Sequence, residues 1–142
     1  MSDIAQGEAI VGNNELRVSK AYSYIYSITI INNTNDLKVI KQIENIIFPN
    51  GANNNNQKND VLIVFTALAD ESILITNDGA SKSQPGGILG HRNELKNTVN
   101  VTIMTDEEAV ILVREKIQIR DNSIRKVCQL TGESLPDWIG KD

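Results

Sequence analysis

The chain has 142 residues, of which 40% are hydrophobic and 23% are charged, and its formal net charge is −4. This length predicts one domain, residues 1–142, that is large enough to bury a hydrophobic core. The negative charge argues against a broadly basic nucleic-acid-binding surface, although a local basic groove could still lie beside an acidic metal site. No segment has the roughly 20 apolar residues that a membrane-spanning helix needs, so we expect no membrane insertion.

The cellular compartment is suggested by the cysteine content and the N-terminal residues. Cys128 is the single cysteine, so the chain cannot form an internal disulfide bond. The first residues, "MSDIAQGEAIVG", lack the basic start and the long apolar run of a secretion signal. We therefore expect a cytoplasmic protein.

The first half of the chain is predicted to contain two helices separated by polar turns. Residues 15–31 carry apolar side chains at helical spacing, with a strand as the alternative for their second half. Residues 37–48 form a second apolar stripe, for which Asn35 or Asp36 is the expected cap. The asparagine-rich residues 49–59 are predicted to be a loop.

The middle of the chain changes from a helical to a strand-like pattern. Residues 60–70 predict a buried helix with Asp60 in its first turn, where the helix dipole favours a negative charge. Residues 72–76, "SILIT", form a short continuous apolar run that is typical of a strand buried on both faces.

The rest of the chain continues this alternation of helix and strand. A short helix is predicted over residues 88–97 and a strand over residues 99–104. A long helix should follow, with Thr105 as its N-cap and Glu108 completing a capping box. The pattern predicts an α/β fold, a three-layer Rossmann-like sandwich around a mostly parallel central sheet.

Two carboxylates are expected to meet at one edge of this sheet. Asp78 follows the strand, and parallel sheets bind ligands where their strands end. The helix that starts at Asp60 is about 15 Å long, and the following strand returns the chain over a similar distance, so Asp60 should lie near Asp78. Neighbouring carboxylates repel unless a cation lies between them, and Mg²⁺ or Mn²⁺ would suit their oxygens. A helix cap at Asp60 and a turn at residues 77–79 are the alternatives.

The stretch "DVLIVFTALADESILITND" resembles the carboxy-terminal half of PIN domains. In that family an aspartate opens a helix of the pattern D-x-x-I-x-x-T-A-L, and the next strand ends in T-N-D. The resemblance implies a PIN-like fold and a metal-dependent ribonuclease, as in the toxins of toxin–antitoxin pairs. It implies that Asp60 and Asp78 are catalytic acids that hold Mg²⁺ or Mn²⁺, and that Thr76 and Asn77 orient the end of the strand.

The family pattern also contains an earlier glutamate at the start of a helix. Glu15 and Glu8 lie 45 and 52 residues before Asp60. Glu15 opens the helical pattern more convincingly, so we expect it to be the third metal ligand, with Glu8 as the alternative. The first strand of the family and its aspartate have no counterpart here. We therefore expect a degenerate member or a chain that lacks an N-terminal segment.

The resemblance implies hydrolysis of RNA phosphodiester bonds by a metal-activated water. Lys82, His91 and Arg92 follow Asp78 and are expected to contact the phosphate backbone, together with Asn77 and Thr76. The alternative function is a non-catalytic, PIN-derived scaffold or partner-binding subunit with a vestigial acidic site. A missing strand would expose a sheet edge, so a homodimer or a protein partner is also expected.

Overall fold

The computed structural model describes residues 1–23, 27–79 and 86–141, and the chain divides into two compact units, Met1–Ile103 and Met104–Asp142. The described residues form helices α1 (Asp3–Ala9), α2 (Glu15–Ser23), α3 (Thr34–Ile47), α4 (Asn55–Ala69), α5 (Gly87–Gly90), α6 (Arg92–Val99) and α7 (Asp106–Thr131), and strands β1 (Ile73–Ile75) and β2 (Thr102–Met104).

The predicted three-layer Rossmann-like sandwich is wrong. The described residues are mostly helical, and their only sheet is the parallel pair of β1 and β2. Each strand has three residues, and the first and last side chains of β1 are exposed, so β1 is not buried on both faces as expected. Two such short strands cannot separate two helical layers, and the helices bury their apolar faces mainly against one another.

The core of the first unit forms where α3 packs against α4 and α6. The side chain of Asn33 accepts hydrogen bonds from the backbone of Asn35 and Asp36, and the Asp36 side chain completes a capping box. The cap thus lies slightly before the predicted Asn35 or Asp36. The buried apolar residues of this core are Ile43, Ile46, Ile47, Val61, Val64, Phe65, Ala67, Ile88, Leu95, Val101 and Ile103.

Helix α4 begins earlier than the sequence pattern indicated. The side chain of Asn54 accepts a hydrogen bond from the backbone N–H of Gln57, so the asparagine run supplies an N-cap and not only a loop. Asp60 is therefore the sixth residue of α4 and not a residue of its first turn, which corrects the expectation that the helix dipole stabilises its charge.

A chain of hydroxyl and carboxylate groups fixes the N-terminal helix to α4. One oxygen of Asp3 accepts hydrogen bonds from both the backbone and the hydroxyl of Thr29, at 3.0 and 2.9 Å. The Thr29 hydroxyl lies 2.6 Å from the hydroxyl of the buried Thr66. These bonds satisfy a buried polar side chain, and they hold α1 and the extended segment around Thr29 beside α4.

The second unit consists of α7 and the tail after it. Thr105 and Glu108 form the predicted capping box, and Gly132 ends the helix in the left-handed conformation at φ 75°. Within the described residues, no helix is both long and apolar enough to cross a membrane.

The tail folds back on α7 around Asp121. This carboxylate accepts the backbone N–H of Gly140 at 2.8 Å and the guanidinium of Arg120 at 2.6 Å, and Arg120 lies over the ring of Trp138. The hydrogen bond from Arg120, with that from Gly140, holds the pKa of Asp121 below its ordinary value despite the opposing effect of burial. Trp138 thus contacts α7 through Arg120.

The core predicts a large loss of stability for Leu95→Ala. Leu95 is fully buried, so its truncation should lower the free energy of unfolding by about 2–5 kcal/mol through lost burial and a residual cavity. Urea unfolding at neutral pH measures this change. The same truncation at Leu37, which is 55% exposed on α3, should cost less than about 1 kcal/mol. Equal losses at both positions would contradict this core.

Trp138 is the only tryptophan, so its fluorescence reports on the tail. Asp121→Ala removes the acceptor for Gly140 and the partner of Arg120, and we expect red-shifted emission and stronger quenching by acrylamide. Asp137→Ala, at an exposed carboxylate beside Trp138, is the control and should leave both signals unchanged. Identical spectra for the parent and Asp121→Ala would show that Asp121 does not anchor the tail.

Candidate functional site

The first unit contains an open cavity of about 1040 Å³ with acidic walls. It is lined by residues of α1, α4 and β1 and by the segment after β1. The charged side chains among its described lining residues are Glu8, Asp60, Asp70 and Asp78, with no lysine, arginine or histidine. A concave surface whose charged side chains all have one sign concentrates the field, which favours cations over anions. It is named the acidic cavity below.

Asp78 is hydrogen-bonded to the backbone of α5. One of its carboxylate oxygens accepts the backbone N–H of Ile88 at 2.7 Å, and its backbone carbonyl accepts that of Leu89 at 3.1 Å. Its own backbone N–H donates to the hydroxyl of Thr76 at 3.1 Å. These contacts fix both the carboxylate and the backbone of Asp78.

Two glycines allow the chain to approach Asp78 so closely. Gly79 and Gly87 both have positive φ angles, 84° and 50°. A Cβ atom at Gly87 would clash with the Asp78 carboxylate, and one at Gly79 would clash with the backbone of Gly86. A side chain at either glycine would therefore push this backbone away from Asp78.

Glu8 is the glutamate that the structure places at this cavity. It lies on α1, and its Oε1 accepts a hydrogen bond from Nδ2 of Asn59 at 2.8 Å, directly before Asp60 in the chain. Glu15 begins α2, is exposed and is absent from the described lining residues. Glu8, the alternative to Glu15, is therefore the glutamate that lines the cavity together with Asp60 and Asp78.

The environment of Asp60 disfavours its charge. Burial is the main cause, and the negative charges of Asp78 and Glu8 add to it, which together raise the pKa of Asp60 from 3.8 to about 6. The three carboxylates thus interact electrostatically across the cavity. A cation near Asp60 would remove this repulsion.

The acidic cavity fits a hydrated ion better than a fully dehydrated one. Among the described residues, no three Asp, Glu, His or Cys side chains are close enough together to hold a metal ion between them. Mg²⁺ usually retains several waters and is bound by one or two carboxylates, and Asp60 and Asp78 supply such donors. The donor set therefore suits hydrated Mg²⁺ or Mn²⁺.

Of the predicted nucleic-acid contacts, Thr76 is the one that lies among the described lining residues of the acidic cavity. Asn77 is exposed in the loop after β1, and both His91, which precedes α6, and Arg92, its first residue, are half-buried. None of these three is among the described residues that line the acidic cavity. Lys82 lies outside the described residues, so its predicted role is untested.

Asp70 is a cavity residue that the sequence analysis did not identify. It follows α4 as its C-cap and lines the same cavity as Asp60. The spacing in the sequence indicates this position, because Asp70 falls on the same helix face as Asp60, Ile63 and Ala67.

Comparison of the chain with models of protein families, with curated proteins and with solved structures found no match. The PIN-domain resemblance of residues 59–78 therefore stays a hypothesis that rests on those residues.

The raised pKa of Asp60 predicts a pH-dependent stability. The folded chain binds a proton that the unfolded chain releases near pH 4, so stability should fall as pH rises from about 4 to 6 and stay lower above. Asp60→Asn should remove this dependence. We expect it to be more stable than the parent at pH 7.5 by roughly 1–2 kcal/mol, because water partly screens the half-buried group.

Urea unfolding in EDTA at pH 4.5 and 7.5 measures this difference. Asp70→Asn, at the C-cap of α4, is the matched control and should leave the pH dependence in place. A parent protein whose stability does not fall between the two pH values would contradict the repulsion at Asp60.

Proposed function

We propose that the chain is a divalent-metal-dependent nuclease that hydrolyses phosphodiester bonds in RNA. The observation that supports this is that Glu8, Asp60 and Asp78 line one cavity, with no basic side chain among its described lining residues, and that Glu8 and Asp78 help to raise the pKa of Asp60. The same two aspartates are the acids that the PIN-domain resemblance implies.

In this proposal Asp60 and Asp78 bind Mg²⁺ or Mn²⁺ and Glu8 adds negative charge beside them. The ion, when bound, makes a water more acidic and neutralises charge on the phosphate. The chain itself contributes orientation. Ile88 and Thr76 hold Asp78 in place, and Asn59 fixes Glu8 against the helix that carries Asp60.

The negative charge of these carboxylates also explains why binding of an RNA substrate would need the metal. A phosphodiester is an anion, and four carboxylates would repel it from the acidic cavity. A divalent ion held by Asp60 and Asp78 would neutralise their charges and so weaken the repulsion of the phosphate. Activity should therefore require the ion for binding of the reacting group as well as for the chemistry.

The test is cleavage of labelled single-stranded RNA by the purified protein with Mn²⁺ or with EDTA. We expect cleavage only with Mn²⁺, and a rate lowered about 100-fold or more in Asp60→Asn and Asp78→Asn, because each loses a metal ligand. Asp70→Asn changes the same charge in the same cavity and should stay within about threefold of the parent.

Three results would contradict the nuclease. Cleavage that survives EDTA would show metal-independent activity, and equal rates for the parent and Asp78→Asn would show that the acids are not the site. Absence of cleavage by a folded parent would also contradict it.

A non-catalytic partner-binding module is the second candidate, and strand β1 favours it. Ile73 and Ile75 are 45% and 55% exposed on a strand that pairs with only β2 among the described residues. Exposed apolar side chains on a strand edge favour pairing with another chain. A folded parent without nuclease activity would support this candidate.

A further inference from the structure

One edge of strand β1 faces the acidic cavity. The consecutive residues 72–76 all line this cavity. Neighbouring side chains of a strand point to opposite faces, so a run of consecutive lining residues indicates that the edge of the strand, and not one of its faces, bounds the cavity. Strand β2 pairs with the other edge of β1, and among the described residues no further strand pairs with β1. The cavity is therefore bounded by strand backbone that has no sheet neighbour in the described chain.

A second piece of extended chain also lines the acidic cavity. Ser2 and Ser27 form an isolated parallel β-bridge, and both are lining residues. The backbone N–H of Ser27 donates to the carbonyl of Met1 at 2.9 Å, and the N–H of Asp3 donates to the carbonyl of Ser27 at 2.8 Å. The walls of the cavity thus contain two stretches of extended backbone, and such walls suit a ligand that is itself extended.

The side chains of β1 favour an added strand. Ile73 and Ile75 lie on the same face of β1 and are 45% and 55% exposed. A strand added to the free edge would place its own apolar side chains beside them, and apolar pairs between neighbouring strands stabilise a sheet. In this kind of binding the main-chain hydrogen bonds give affinity, and alternate side chains give specificity.

The charges of the cavity determine which strand would fit. Asp70 lies just before β1 and Asp78 just after it, and Asp60 and Glu8 add two further carboxylates to the lining. A second copy of this chain would bring the same carboxylates to the same edge, so pairing between two copies is disfavoured. A segment that carries lysine or arginine has the complementary charge.

We propose that a protein partner binds this chain by adding an extended segment, in which basic and apolar side chains alternate, to the free edge of β1. The backbone of the segment pairs with β1, its apolar side chains lie beside Ile73 and Ile75, and its basic side chains neutralise the carboxylates of the acidic cavity. This inference rests on the second candidate function, to which it gives a partner of defined chemistry, and it does not depend on nuclease activity.

Binding of a fluorescein-labelled peptide of sequence KTVKVTVKT, in EDTA at pH 7.5, tests the pairing. Its valines lie on one face of an extended chain. Fluorescence anisotropy at about 50 mM salt, where charges are only partly screened, gives the Kd of the parent. The same peptide with N-methyl groups on two neighbouring central residues keeps its charge but loses a donor on each edge. We expect it to bind about tenfold more weakly, because it cannot complete the main-chain hydrogen bonds.

Asp60→Asn/Asp70→Asn tests the charge of the cavity. This variant loses two of the lining carboxylates, and we expect it to bind the unmodified peptide about tenfold more weakly. Because Asp60→Asn should stabilise the fold, a weaker interaction would not come from unfolding. Glu133→Gln/Asp137→Asn is the matched control. It loses the same charge from exposed positions of the tail, and its Kd should stay within about twofold of the parent.

Hydrogen–deuterium exchange shows where the peptide lies. Saturation with the unmodified peptide should slow the exchange of the backbone amides of residues 72–76, because an added strand pairs with this edge. The amides of α7 belong to the second unit and should exchange at the same rate with and without the peptide.

Any of four results would overturn the inference. The first is a parent that does not bind the unmodified peptide, and the second is an N-methylated peptide that binds as tightly. The third is an Asp60→Asn/Asp70→Asn variant that loses no more affinity than the control, and the fourth is unchanged exchange of residues 72–76. Cleavage of RNA with Mn²⁺ is measured without any peptide, so failure of the nuclease proposal and failure of this inference are seen in different measurements.

Discussion

The apolar contact between α3 and α4 is the interaction on which the first unit depends. Ile43 of α3 and Val64 of α4 are fully buried in the core where these helices meet. The neighbouring face of α4, with Asp60, Ile63 and Asp70, lines the acidic cavity, and Ala67 belongs both to the core and to the cavity lining. Partial burial of Asp60 on this face is the main cause of its raised pKa.

The features that follow from short-range signals could be predicted from the sequence. The capping box of Thr105 and Glu108 depends on residues three apart, and it forms as expected. The approach of Asp60 to Asp78 follows from one helix and one returning strand. In contrast, the sequence cannot distinguish Glu8 from Glu15, because the choice depends on a contact with Asn59, which is 51 residues from Glu8.

The fold class was mispredicted for a physical reason. Alternating apolar segments are compatible with a parallel sheet only if the strands are long enough to separate layers of helices. Here β1 and β2 have three residues each, and the core forms mainly between helices. The loop predicted for the asparagine run is wrong in part for a similar reason. Composition indicates a loop, but the side chain of Asn54 caps α4.

The contact between Glu8 and Asn59 also has a kinetic consequence. It joins segments that are far apart in the chain, and closing so long a loop costs conformational entropy before any contact is gained. The contact of Thr29 with Thr66, 37 residues apart, has the same character. The acids that line the cavity therefore reach one surface only after these long loops have closed.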